Sequence, residues 1–173
     1  MLEGLRRCYG RLRLKVNETK TAVAPVWRRK FVGCSLIRVR GEVRLAVAKE
    51  AVQRYRRRVR ELTPRQTGRS IAQIVQGLRV YVQGWKNYFQ LAPMPRGRRD
   101  LDEWMRHRLR AIQLKHWGRP ATVRRELRAL GASEDTAKQV AANVRRWWRN
   151  STGAINRVLD LAYFENLGAP RLC

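Results

Sequence analysis

Between Ser70 and Phe89 the apolar residues Ile71, Ile74, Val75, Leu78, Val82, Trp85 and Phe89 recur every three or four positions. At the helical rotation of about 100° per residue they project within one face of roughly 100°. On a strand the same residues would fall on both sides, so only a helix can bury them together. The segment opens on Ser70-Ile-Ala-Gln, a capping box in which serine and glutamine satisfy free amides reciprocally. Pro93 and Pro95 close it. The GWKNYF stretch at its end (84–89) poses a choice between core and base-stacking surface. The projection puts Trp85 and Phe89 in the stripe and predicts that they are core. Tyr81 and Tyr88 stand on its edge with Gly77 and Gly84, a notch open to a neighbouring helix or to an RNA strand stacking on the tyrosines, which are the candidate stacking residues. Lys86 lies on the opposite flank, free for solvent or phosphate.

The helical period starts earlier, at Ala48. Ala48, Val52, Tyr55, Val59 and Leu62 form one stripe, and Thr63-Pro64 stops it. Glu50 and Arg54, and Arg57 and Glu61, stand four residues apart and are expected to pair. Arg56, Arg58 and Arg60 have no such partner. The basic linker PMPRGRR (93–99) reads as a non-helical loop offering Arg96, Arg98 and Arg99 to phosphate. Asp100 and Glu103 then cap a helix that turns Leu101, Trp104, Met105, Leu109 and Ile112 inward. Arg108 interrupts that face, as either the limit of a narrow stripe or a paired interior arginine. A short helix follows over 120–130 and stops at Gly131. Ser133 caps another, with Val140, Val144 and Trp147 on one face and Lys138, Arg145 and Arg149 on the other. Residues 155–168 read as a closing helix.

Upstream, residues 1–10 look like the tail of a helix, 12–16 (LRLKV) alternates like a strand, NETKT is a turn, and 30–47 reads as two strands hinged near Gly41. The expected fold class is mainly α (α+β), a helical region preceded by a small antiparallel β element.

The chain of 173 residues carries 39 Lys+Arg against 13 Asp+Glu, a formal charge of +26, and at 44% hydrophobic content it is too apolar for a disordered basic tail. Such a charge repels itself when compact unless a polyanion neutralises it, which points to nucleic acid. Of the basic residues 32 are arginine. Arginine's planar fork grips phosphate and stacks on bases, which suits structured RNA. No apolar run approaches the ~20 residues of a membrane span, and no signal-peptide pattern opens the chain, so no membrane partner is expected. Three cysteines without metal or redox spacing fit reduced thiols in a cytoplasm.

Catalytic chemistry is sparse. Asp100, Asp102 and Glu103 form the tightest acidic cluster and read as first-turn carboxylates serving free amides and the helix dipole. His107 and His116 stand at unlike angles on a helix and make no zinc site. No phosphate-cradling glycine loop or nucleophile elbow occurs. No catalytic residue, metal or cofactor is therefore assigned.

LRLKVNETKT followed by KFVGCSL resembles the segments after the catalytic motif of bacterial group II intron reverse transcriptases. LRVYVQGWKNYF, DLDEWMRHRLR and AYFENLGAPRL resemble their maturase-specific domain. The resemblance implies that 1–47 corresponds to the end of a polymerase palm and 48–173 to a helical thumb and maturase-specific region. It implies a module that binds intron RNA and helps it reach a splicing-competent fold while the RNA performs the transesterifications. Polymerisation in that family needs adjacent aspartates for Mg²⁺. No Asp-Asp occurs here, and fingers and most of the palm are expected to be absent. Lys20 matches a lysine near the incoming triphosphate and, without that metal site, is expected to be a surface lysine.

Three functions follow as expectations. The first is an RNA-binding maturase-like module with phosphate contacts at Arg56, Arg58, Arg60, Lys86, Arg96, Arg98, Arg99, Arg145 and Arg149. The second is the C-terminal piece of a split reverse transcriptase whose palm and fingers are a separate chain. The third is an RNA- or DNA-binding subunit of another ribonucleoprotein.

Overall fold

The computed structural model of the chain describes residues 2–17, 19, 21, 25, 27, 29–39, 41–64 and 68–173. In chain order the elements are α1 (Leu2–Arg11), β1 (Lys30–Phe31), β2 (Cys34–Val39), β3 (Glu42–Val47), α2 (Lys49–Leu62), α3 (Ile71–Tyr88), α4 (Pro95–Trp117), α5 (Pro120–Ala129), α6 (Glu134–Ala142), α7 (Trp147–Asn150) and α8 (Leu161–Asn166). The fold is mainly α with a small antiparallel sheet, as expected.

The sheet runs β1-β2-β3, all antiparallel, with β2 and β3 in register from Cys34↔Val47 to Val39↔Glu42. Gly41, at φ +87°, takes the left-handed turn between them, a conformation that suits a residue without Cβ. At the other end, the turn at Val32 and Gly33 (φ +51° and +80°) brings the sheet against the helical body. A Cβ on Gly33 would stand 3.2 Å from the Phe89 ring. The expected strand at 12–16 does not form. Leu12 and Leu14 donate their amides back to the last turn of α1, to Cys8, Tyr9 and again Tyr9, which removes them from any ladder. Lys20 lies outside the described residues.

Helix α2 buries Ala51, Tyr55 and Val59, and α3 buries Ile74, Val75, Leu78, Val82 and Trp85, so both predicted stripes face the core. The Ser70 capping box is present in both directions. Trp85 packs between Tyr55 (ring centroids 5.0 Å) and Phe89 (4.7 Å). Helix α4 is the axis of the body: every residue from Arg108 to Leu114 is buried. The remaining helices close around it with Val123, Leu127, Ile155, Leu159 and Phe164.

Three boundaries differ from expectation. Helix α4 starts at Pro95, so the linker 93–99 is largely helical. Proline at the first position lacks only an amide that would have no intrahelical acceptor, and its fixed φ suits the helix. Asp100 and Glu103 consequently sit beyond the first turn and cap nothing. The capping carboxylate of this cluster is Asp102, which is buried and accepts the amides of Leu172 (3.0 and 3.2 Å) and Cys173 (3.1 Å). The helix capped by Ser133 stops at Ala142 instead of running past Trp147. Asn143 turns its side chain onto the Gln139 carbonyl, and Asn150 takes the Val140 carbonyl at 2.7 Å, local bonds that compete with helix continuation. Residues 155–168 likewise break, because Asp160 caps a fresh helix at Tyr163.

Truncating Trp85 to alanine removes an indole packed between two rings and is expected to cost ~3–5 kcal/mol of folding free energy. Tyr88→Ala, at an exposed ring, is expected to cost less. Urea denaturation of the two variants checks the order.

Candidate nucleic-acid interface

Arg56 and Arg60 lie one turn apart on α2 and therefore share a face. That face meets Trp104 of α4, whose half-buried indole has the Arg56 guanidinium carbon 5.8 Å and the Arg60 carbon 5.5 Å from its ring centroid. Arg108, one turn further along α4, brings a third guanidinium to 5.5 Å. The π-face attracts each cation, and the indole spaces charges that would otherwise repel.

Arg108 is the paired interior arginine. Its Nε donates to Thr63 Oγ1 (2.9 Å) and its Nη2 to the Thr63 carbonyl (2.8 Å), while Thr63 Oγ1 donates to the Val59 carbonyl at 2.5 Å. Thr63 is the C-cap of α2, so the buried charge sits at the negative end of that helix dipole. Arg56 and Arg60 form no ion pair or hydrogen bond among the described residues. Both remain exposed. Their stems lean on a fixed ring and their forks stay available, so less rotamer entropy is lost when they grip a phosphate.

The other expected contacts are dispersed. Glu61 is held by Arg58 at 2.8 Å, with Arg57 at 4.0 Å, and Glu50 is held by Lys30 instead of Arg54. Arg58 thus has the partner that it was expected to lack, because three-residue spacing places it over Glu61 as readily as four-residue spacing places Arg57. Lys86 donates to the Arg171 carbonyl at 3.2 Å, so it is tied to the C-terminal segment instead of being free. Arg96 and Arg99 are exposed on the first turns of α4, whereas Arg98 turns back to the Phe89 carbonyl (2.8 Å) at the end of α3. Arg145 and Arg149 are exposed in the segment after α6.

Tyr81 and Tyr88 line one cleft with Arg54 and Trp85. Tyr81 stacks on Tyr55 at 5.7 Å, and burial raises its hydroxyl pKa above the usual tyrosine range. Tyr88 stays exposed, but its hydroxyl donates to the Val32 carbonyl at 2.9 Å. The tyrosine edge is therefore met by helix α2, through Tyr55 against Tyr81, and by the β1–β2 turn at Tyr88. Gly77 and Gly84 face open space among the described residues.

Trp104 also lines a cleft of about 250 Å³ with Asp100, Glu103, His107, Arg110, Thr152 and Asn156. Arg110 is only 5% exposed. Its Nε donates to the Ser151 carbonyl at 2.9 Å and its Nη1 makes a long 3.4 Å bond to that of Leu159. Burial first, and the charge of Arg106 second, lower its pKa to about 10. His107 stacks on Trp148 at 4.1 Å and its Nε2 lies 3.0 Å from the Trp148 carbonyl. Thr152 also borders a second cleft with Asn143, Arg146, Arg149 and Asn150.

Sequence reasoning missed Arg110, Arg146 and the use of Trp104 as a platform for arginine. A signal existed in RHRLRAIQL, where polar residues recur too often to share one outer face of α4. Among the described residues, no three His, Cys, Asp or Glu side chains stand together to hold a metal, and no helix is long and apolar enough to cross a membrane.

Residues 52–131 match the family model described as "Group II intron, maturase-specific domain". The matched stretch includes Arg56, Arg60, Thr63, Trp104, Arg108 and Arg110. No curated protein matches the chain.

Thr63→Val keeps the volume at the end of α2 but deprives Arg108 Nε of an acceptor. The expected loss is ~1–3 kcal/mol, the cost of leaving a buried donor unmade, read as a lowered denaturation midpoint with unchanged slope.

Proposed function

We propose, from the match of residues 52–131 to the group II intron maturase-specific domain, that the chain binds group II intron RNA and holds it in a splicing-competent fold, the RNA itself carrying the transesterifications. The observation that carries this reading is the pair of unpaired arginines, Arg56 and Arg60, ordered on Trp104 inside the matched segment. Arg96 and Arg99 extend the basic surface from the start of α4, and Arg145 and Arg149 from the region after α6. Arg58, Lys86 and Arg98, which have intramolecular partners, contribute charge more than direct contacts. On this reading residues 48–173 act as thumb and maturase region and 1–47 as palm-derived. The chain acts as a splicing cofactor without its own polymerase, in the cytoplasm.

A second reading has its own support. Leu5, Tyr9, Phe31, Val32, Ile37 and Val43 are exposed large hydrophobics in α1 and the sheet. Such a surface fits a separate palm and fingers chain that would complete a reverse transcriptase. Primer extension on mixing with a chain that carries the paired aspartates is the expected result of that reading, and its absence sinks it.

For the first reading, binding to intron RNA is expected to weaken linearly in log K against log salt over roughly 50 to 200 mM. Arg56→Ala with Arg60→Ala should reduce that slope by about 2, one per lost phosphate contact. Arg58→Ala should change it less. A flat salt response, or equal competition by intron RNA, unrelated duplex RNA and DNA, would overturn the assignment.

A further inference from the structure

We propose that the cleft beside Trp104 holds one unpaired guanine of the bound RNA, with Glu103 reading its Watson–Crick edge. The proposal rests on the RNA-binding reading and adds to it a base-specific contact.

The starting point is an electrostatic anomaly. In a chain of charge +26, a carboxylate left on a polyanion-binding face weakens binding unless it engages something itself. Other described carboxylates have an explanation. Glu61 and Glu134 are in ion pairs, Asp102 and Asp160 cap backbone amides, and Asp135 lies in the first turn of α6. Asp100 and Glu103 form no ion pair or hydrogen bond among the described residues and lie beyond the first turn of α4. Spaced three apart, they share a helix face, and both wall the same cleft.

The second observation concerns the arginine that shares the cleft with Glu103 and feels its charge. Arg110, 5% exposed, lines this cleft, and its Nη2 donates to no group among the described residues. Its free terminal amine at the cleft wall is a donor that a ligand's acceptor can engage. Its bonds to the Ser151 and Leu159 carbonyls fix its plane.

The cleft therefore offers a carboxylate and an unspent guanidinium donor next to an aromatic wall. Guanine is the base that matches. Its N1–H and N2–H are adjacent donors for the two oxygens of one carboxylate, and its O6 beside them accepts from arginine. Adenine and cytosine present one exocyclic amine beside a ring nitrogen whose lone pair faces the carboxylate. Uracil flanks its single N–H with two carbonyls. Trp104 supplies the aromatic surface on which a splayed base rests, the mode by which unpaired RNA is read. The flanking phosphates fall to cations beside the cleft. Arg56 and Arg60 lie against Trp104, and Arg146 and Arg149 line the neighbouring cleft that shares Thr152.

Labelled single-stranded hexanucleotides UUUNUU, with N as guanine, inosine, adenine, cytosine or uracil, test this by fluorescence anisotropy at one fixed salt concentration. The guanine oligonucleotide is expected to bind roughly tenfold or more tighter than the adenine one, within the range of one bidentate base contact. Inosine, which lacks the N2 amine, should lose most of that advantage. Glu103→Gln changes an exposed side chain and leaves the core untouched. It should abolish the guanine preference while leaving binding of UUUUUU equal or tighter, since a negative charge is gone. Asp100→Asn should tighten all oligonucleotides and keep the preference. Equal binding of all five by the unmodified chain would overturn the proposal, as would a Glu103→Gln variant that tightens every one alike. In either case, persisting salt-dependent binding of intron RNA leaves the RNA-binding reading standing, whereas its loss removes both.

Discussion

A guanidinium buried in the middle of α4 sets the relation between the helices that carry the basic surface. Placing a full charge there is costly unless every face of it is answered. Arg108 has the hydroxyl and carbonyl of Thr63, the negative end of the α2 dipole and the ring of Trp104. These groups come from two helices, so the charge is satisfied only when α2 ends where it does and crosses α4 at this point. Thr63-Pro64 enforces that ending, because the proline cannot continue the hydrogen-bond ladder and biases the preceding residue away from helix.

The same constraint produces the surface above it. With α2 held by its C-cap, Arg56 and Arg60 are carried to the Trp104 ring, which the buried Arg108 also meets. Three cations around one indole would be unfavourable in isolation. The arrangement is tolerated because the inner charge is compensated by helix carbonyl density and the two outer ones keep their solvent. A bound polyanion would relieve the remaining repulsion, so the tension that the free protein carries favours its ligand. Glu61 moderates the neighbouring arginines, taking Arg58 and approaching Arg57, and leaves the pair on Trp104 without an acidic partner among the described residues.

Much of the body was legible in the sequence because its signals are local. The Ser70 box, the Thr63-Pro64 stop, the hinge at Gly41 and the stripes of α2 and α3 each depend on a few neighbouring residues, and each is present in the fold. What escaped needs distant residues or a residue with two meanings. Pro95 is a breaker within a helix and a starter at its first position, and only the chain's path decides between them. Asp102 looked like a first-turn carboxylate but binds amides 70 residues and more away. Lys86, Arg58 and Arg98 looked like free cations because their acceptors, at Arg171, Glu61 and Phe89, depend on side-chain direction and on tertiary approach. At the candidate interface Arg56 and Arg60 were legible as arginines without a helical partner. The ring that orders them was assigned to the core.

GWKNYF shows why composition alone misleads at such a surface. An aromatic cluster in a basic chain suggests base stacking, yet Trp85 and Phe89 are spent on the core and Tyr88 on fastening the β1–β2 turn through the Val32 carbonyl. On the proposed reading the ring offered to nucleic acid is Trp104, half-buried and set among guanidiniums on a helix whose residues 108–114 are all buried. An exposed stacking ring must be rigid if it is to act without losing its own freedom on binding, and rigidity comes from being anchored in a packed helix. The most buried helix of the fold is therefore the one best able to present such a ring, and the arginines that lean on it inherit its order.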